Sequence, residues 1–356
     1  MEEEEARNNI SQLTFRNVPH KLYPLVESKE CPASSLKLFG YHLIVRNIMI
    51  AQKFTNIDTI CLPDGFSDAA RIIQEYFPAI NLREFSDDYS NAFEKYASTA
   101  IGTPAHFGCN GGGLTIPFQS QDNNFEIPIN SLLHYSFRSL DDDGDHLNNN
   151  DDYDNNNNST NDLAADILIY PWDFLKAVQD VLHDEISHTV ISPSAVVAKS
   201  SIINGPCIIE DDVTIDDFCK IVGPIYIGSG SFIGMSSLVR HSMMGINTRI
   251  GFNCEIAKTY FEGHDRISHQ NVILDSIIGR NVWFGGYSGT ANVLLDRRNV
   301  RYQIADKLVD TGTDHFGAVV GNNCTIGASV IILPGRQVLP NAVIQAGTIF
   351  DKKEIK

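Results

Sequence analysis

No run of about 18 apolar residues occurs anywhere in the 356-residue chain, so a membrane-spanning helix is not expected. Basic residues are scarce: 27 Lys and Arg stand against 44 Asp and Glu, a net charge of −17. A chain with that balance repels nucleic-acid phosphates and anionic lipid, which removes both from the expected partners. A small anionic substrate stays open, because a few Arg or Lys side chains can dominate inside a cleft. Metal-site spacing is absent too. The seven cysteines (Cys31, Cys61, Cys109, Cys207, Cys219, Cys254, Cys324) are odd in number and scattered, with no CxxC pair or Cys/His cluster. Neither a metal nor a disulfide framework is therefore expected. The chain opens on Glu2 to Glu5 instead of a basic segment followed by an apolar one, and reads as cytoplasmic with reduced thiols.

What is present divides along the chain, as the length leads one to expect. Residues 1–140 alternate short apolar runs with helical patterns and read as an α/β domain. Leu43 to Phe54 has helical spacing, Asp58 to Leu62 reads as a buried strand, and Ser67 is the candidate N-cap of a helix from Asp68 to Tyr76. Residues 141–162 are low complexity, sixteen Asp or Asn out of twenty-two. Such a segment buries too little apolar surface to offset its ordering entropy and reads as a disordered insertion. A calcium loop is the competing reading, but the twelve-residue ligand spacing and closing Glu are missing. Residues 163–187 read as a strand, a turn at Pro171 and a connecting helix.

From Ile191 an aliphatic residue recurs every six positions: Ile191, Val197, Ile203, Ile209, Ile215, Ile221, Ile227, Ile233 and Val239. The period resumes at Ile278 and Phe284, and again at Val320, Ile326, Ile332, Val338, Ile344 and Phe350. Six residues fit neither an α-helix nor a hairpin; they fit short strands joined by turns, each sending one apolar side chain inward, stacked as a solenoid over residues 188–356. Two interruptions stand out. Val239 to Ile250 is eleven residues, one short of two repeats, and residues 286–319 carry no repeat. The latter predict a projecting loop, either a binding element or an idle surface.

Three stretches carry a resemblance: EIAKTYFEGHDRISHQNVILDSIIG (255–279), FGGYSGTAN (284–292) and DTGTDHFGAVVGNNCTIGASVIILPG (310–335). With the repeats they resemble the hexapeptide-repeat acyltransferases, whose fold is a left-handed parallel β-helix. The likeness is nearest to archaeal-type bifunctional sugar-1-phosphate nucleotidyltransferase/amino-sugar-1-phosphate N-acetyltransferases. The resemblance implies a homotrimer using acetyl-CoA as co-substrate, with no metal in the β-helix. It implies His269 as the base that takes the amine proton, a task suited to an imidazole; a surface histidine at a coil corner is the equal alternative. His264 and His315 are weaker candidates. Arg240 and Lys258 are similar to the pair that grips the sugar phosphate. Eighteen residues apart, they would stack on one face of an unbroken prism, while solvated surface charges are the alternative. Asn292 matches an asparagine that binds the amino sugar. The chain departs from the pattern at Val272, where the family has Tyr, and at Thr313, Asp314 and His315, where it has basic residues.

The N-terminal section resembles the nucleotidyltransferases through LKLFGYHLIVRNIMIAQKFTNIDTICLP (36–63) and Tyr170-Pro171-Trp172-Asp173. Their Gly-rich phosphate loop is missing, since the first glycine is Gly40, and Gly111-Gly112-Gly113 reads as a turn. The expected fold is therefore a degenerate nucleotidyltransferase-like α/β domain followed by the β-helix. The expected function is acetyl-CoA-dependent N-acetylation of an amino-sugar phosphate or sugar nucleotide. The alternatives are a non-catalytic regulatory or scaffold homologue that binds sugar nucleotides, and a surviving sugar-1-phosphate nucleotidyltransferase.

Overall fold

The computed structural model describes residues 10–16, 21–22, 24–25, 32–53, 56–85, 114–117, 120–121, 124–128, 131–136, 162–305 and 307–351. The Gly111–Gly113 turn and residues 141–161 of the Asp/Asn-rich insertion lie outside them.

The N-terminal part is α/β. Its larger sheet runs in the order Asn81–Phe85, Asn56–Pro63, Ile10–Arg16, Asn124–Pro128 and Ser120–Gln121, parallel except for the last pair. The strand Ile10–Arg16 lies at its centre and is followed in sequence by Asn17-Val18-Pro19-His20, with no glycine to let backbone amides wrap a phosphate. A second, antiparallel sheet sets Asp162–Ile167 between Leu114–Pro117 and Ser131–Ser136. The helix read from Leu43 ends at Ala51 and buries Leu43, Ile44, Ile48 and Ala51. Ser67 is not a cap but the first helical residue; Phe66 holds the cap position without a side-chain hydrogen bond, because Gly65 (φ 94°) turns the chain just before it. Pro171 makes no turn. It starts the connecting helix Pro171–Glu185, where its missing N–H goes unused, and the Asp173 carboxylate accepts N–H bonds from Ile169 (3.1 Å) and Tyr170 (2.8 Å).

From Val190 to Phe350 the chain winds a parallel β-helix whose three faces are eight-stranded parallel sheets, and each strand has two or three residues. The first face has Ile191, Ile209, Ile227, Met244, Phe261, Ile278, Val320 and Val338 in register. The second has Val197, Ile215, Ile233, Ile250, Ile267, Phe284, Ile326 and Ile344. The third has Ile203, Ile221, Val239, Ile256, Ile273, Thr290, Ile332 and Phe350. Burying one such aliphatic side chain is worth roughly 1.5–3 kcal/mol, so the interior column is the main source of cohesion. Buried amides at the turns are met by side chains one coil away: Ser231, Ser237 and Ser242 accept from Thr248, Cys254 and Thr259 N–H, each at 3.1 Å.

The two expected interruptions resolve differently. Val239 to Ile250 is not a break: Met244 fills the interior position, five residues after Val239. The same five-residue step recurs from Ile256 to Phe261 and from Ile273 to Ile278, always at the corner between the third and first faces. Three successive coils thus have 17 residues instead of 18. The second interruption is real but shorter than residues 286–319. Gly289–Thr290 is a third-face strand and Ala318–Val320 a first-face strand, so the chain leaves the ladder only between them. Thr290 is interior, and its hydroxyl accepts from Ser276 Oγ at 2.8 Å and donates to Leu274 O at 3.3 Å, which hides the repeat from an aliphatic pattern.

The outward side of the first face is covered. Tyr226, Met243, Tyr260, Ile277 and Val319 join the core built from the N-terminal helices and Pro171–Glu185. Tyr260 donates its hydroxyl to Lys37 O (3.0 Å) and meets Phe174 edge-on, ring centroids 4.8 Å apart.

Candidate functional site

The corner between the third and first faces concentrates the chemistry. Across its 17-residue coils Arg240 pairs with Ala257, not with Lys258, which corrects the expected eighteen-residue stacking. Lys258 instead follows Ala257 around the turn and donates its backbone N–H to Arg240 O at 3.1 Å. The residue seventeen before it is His241, and those seventeen and thirty-four after it are Asp275 and Asn292. His241, Lys258 and Asp275 all sit in the left-handed backbone region (φ 48°, 47° and 43°). That conformation suits Gly or Asn best. The Asn292 amide donates to Asp275 Oδ2 at 2.5 Å. Arg240 pairs with Glu255 at 2.5 Å, while its buried Nε has no partner among the described residues. Burial holds the His241 imidazole below its ordinary pKa, with Lys258, Arg240 and His183 adding repulsion in that order. His183 comes from the last turn of Pro171–Glu185. Arg240, Lys258 and Asn292 therefore gather at one corner; His241, Asp275 and His183 were missed by the sequence reading. The seventeen-residue spacing of polar residues was the signal that could have found the first two.

His269 lies at a different corner, between the second and third faces. Six residues of chain separate it from Asp275, a span of at most about 20 Å when extended. Its ring is exposed, and its Nδ1 accepts the Phe252 N–H at 3.2 Å. In the neutral ring that bond keeps the proton on Nε2. Phe252 and Tyr287, whose N–H donates to His269 O at 3.0 Å, are both exposed beside it. His269 and the group formed by Arg240, Lys258 and Asn292 therefore occupy different corners of the β-helix.

His315 lies on the returning limb of the 291–317 excursion, bridged to Val293, with Phe316 N–H on Asn292 O at 2.9 Å. Its Nδ1 meets Asp314 Oδ1 at 2.6 Å, and the His315 hydrogen bond holds the Asp314 carboxyl below its usual pKa. His264 is at the third corner, in a cleft shared with Lys37, Phe39, Tyr226 and Arg280 at the junction with the N-terminal part. Trp172 anchors the excursion. It meets the Tyr302 and Phe316 rings edge-on at 5.7 and 6.3 Å, and Tyr170 stacks on it at 4.4 Å.

Residues 206–241 match the family described as bacterial transferase hexapeptide (six repeats). Over 104 residues, 29% of the chain, it is 32% identical to a putative uncharacterized acetyltransferase, YaiX, of Escherichia coli K12, covering 45% of that protein. Over 183 residues, 51% of the chain, it is 30% identical to the bifunctional protein GlmU of Methanocaldococcus jannaschii, covering 44% of it. The chain thus spans less than half the length of these relatives. Among solved structures, a UDP-N-acetylglucosamine acyltransferase aligns over 45% of this chain and 70% of its own, at 13% identity and TM-score 0.24. The acetyltransferase domain of PglB from Neisseria gonorrhoeae aligns over 46% and 53%, at 13% identity and TM-score 0.15. The β-helical half of this chain is thus similar to hexapeptide-repeat transferases, and the family's own repeats are matched within it over residues 206–241.

Proposed function

We propose that the chain is an acyltransferase that moves an acetyl group from acetyl-CoA to the amine of an amino-sugar phosphate or sugar nucleotide. The observation that carries this reading is the corner where Lys258 adjoins Arg240, with Asp275 and its bound Asn292 amide one and two coils beyond Lys258, in a chain whose similar proteins include acetyltransferases. Arg240 and Lys258 hold the phosphate, and Asn292, fixed by Asp275, orients the amino sugar. The amine nitrogen attacks the thioester carbonyl carbon, an imidazole takes the proton released from nitrogen, the C–S bond breaks, and the thiolate is protonated. The products are an amide and free coenzyme A thiol.

His269 is the imidazole of that step, supplied by the neighbouring chain of a homotrimer, because its corner is one face away from the phosphate grip. Exposed apolar residues on the second face (Val196, Trp283, Val343) and the third (Ile202, Val272, Ile331, Ile349) support such association. To accept through Nε2 the ring must release Phe252 and carry its proton on Nδ1. His315 gives a second assignment of the base, favoured by the Asp314 contact, which occupies Nδ1 and leaves Nε2 free to accept.

The test is thiol release from acetyl-CoA with glucosamine 1-phosphate. The expected result is turnover that His269→Ala abolishes and His315→Ala leaves largely intact; the reverse pattern moves the base to His315. Binding of UDP-sugars without thiol release from acetyl-CoA in the presence of any amino sugar would replace this reading with a regulatory scaffold. Pyrophosphate release from a nucleoside triphosphate and a sugar phosphate would restore a nucleotidyltransferase.

A further inference from the structure

The corner holds more positive charge than the phosphate grip alone explains. His241 stands one coil before Lys258 in the left-handed turn position and immediately after Arg240. His183, in the last turn of the connecting helix, is close enough to act on His241 electrostatically, on a chain of net charge −17. Five left-handed corners of the β-helix carry Asn, which suits that backbone, and others carry Phe218, Ser236, His264, Gln270 or Tyr287. What sets His241 apart is that Arg240 precedes it and a lysine follows it one coil later at the same corner. Arg240 is half-satisfied: one guanidinium nitrogen is on Glu255, while the buried Nε lacks an acceptor among the described residues. A donor left so costs free energy unless a ligand oxygen meets it. The nearby acids are committed or outside the gap. Glu255 is on Arg240, Asp275 is on the Asn292 amide, and Asp184 lies 3.8 Å from His183 Nδ1.

We propose that His241 is a third ligand of a dianion site completed by Arg240 and Lys258, and that the dianion binds together with a proton taken up on His241. The proposal rests on the phosphorylated substrate of the preceding reading and adds a pH-linked residue that selects for a doubly charged group. In the free protein, burial disfavours the imidazolium, and Lys258, Arg240 and His183 act in the same direction. A dianion reverses the local sign, raises the His241 pKa and draws a proton from solvent. Affinity therefore strengthens as pH falls through the pKa of the bound state, and levels off once the free protein is also protonated. His183 acts from the side as a repelling neighbour, so its removal moves the transition to higher pH.

The experiment is calorimetric titration of the full chain with inorganic sulfate, a dianion throughout the range, at several pH values and in buffers of different ionisation enthalpy. The wild type is expected to take up protons and to bind more tightly at pH 6 than at pH 8. His241→Asn keeps the corner backbone, because Asn tolerates the left-handed region. It is expected to lose the proton uptake and to weaken binding roughly tenfold at the acid end only, the worth of one charge-assisted hydrogen bond. His183→Gln should shift the wild-type transition upward in pH. An unchanged pH slope in His241→Asn, or sulfate binding unaffected by Lys258→Ala, overturns the proposal, as does the absence of any sulfate binding. Sulfate binding with this linkage but without acetyl transfer overturns the acyltransferase reading alone.

Discussion

A carboxyl with no water around it titrates differently from one at the surface, and Asp265 is fully buried. Its oxygens accept the N–H groups of Val282 (2.8 Å) and Gly263 (3.2 Å) at the corner between the first and second faces. Burial pushes its pKa well above the usual carboxylate range; the two N–H bonds pull the other way, and Glu262 adds to the rise. A folded-state value above the unfolded one means that the folded chain binds the extra proton. The stabilisation is complete below about pH 3.9, the ordinary Asp value, and is lost as pH rises through the folded value. Asp265→Asn removes the titration but offers one acceptor oxygen to two N–H donors. It is expected to be less stable than wild type near pH 4 by about 1–3 kcal/mol, the cost of an unsatisfied buried donor, with the gap narrowing as pH rises towards neutral. Urea midpoints measured across that range check this, and a variant equally destabilised at every pH would show that the acid is not protonated in the fold.

Among the elements, the 291–317 excursion depends on a side chain outside the β-helix. Trp172 on the connecting helix supplies the surface on which Tyr302 and Phe316 lie, and both are buried. Trp172→Ala is expected to cost about 3–5 kcal/mol, the usual range for removing a buried aromatic side chain. Faster proteolysis confined to the excursion should accompany it; cleavage spread along the β-helix would show that the loss is global. The solenoid itself was legible because its interior residues are aliphatic and its spacing regular. Met244 and Thr290 escaped for separate physical reasons: a five-residue step at a tight corner displaced one, and a hydroxyl paired inside the prism disguised the other. The coil length misjudged at that corner is also why Lys258 was set over Arg240 instead of one residue beyond it. His183 could not be found by spacing at all, since a helix 58 residues upstream of His241 delivers it through tertiary packing.

At the scale of the whole molecule, the separation of His269 from Lys258 by one face makes the proposed site a property of the assembly. If each site takes His269 from one chain and Lys258 from the next, neither His269→Ala nor Lys258→Ala alone can build a complete one. Chains of the two variants refolded together can. A site is intact wherever a Lys258→Ala subunit donates its His269 to a His269→Ala subunit that donates its Lys258. Random mixing in a cyclic trimer then restores about a quarter of the sites. Recovered thiol release near that fraction, from two preparations that are each inactive, is the expected result. A site closed within one chain predicts no recovery at any ratio. His315 provides the internal contrast, because it returns from the excursion beside Asn292 of its own chain. Were His315 the base, mixing His315→Ala with Lys258→Ala would leave every site lacking one of the two residues, and the mixture would stay as inactive as its parts.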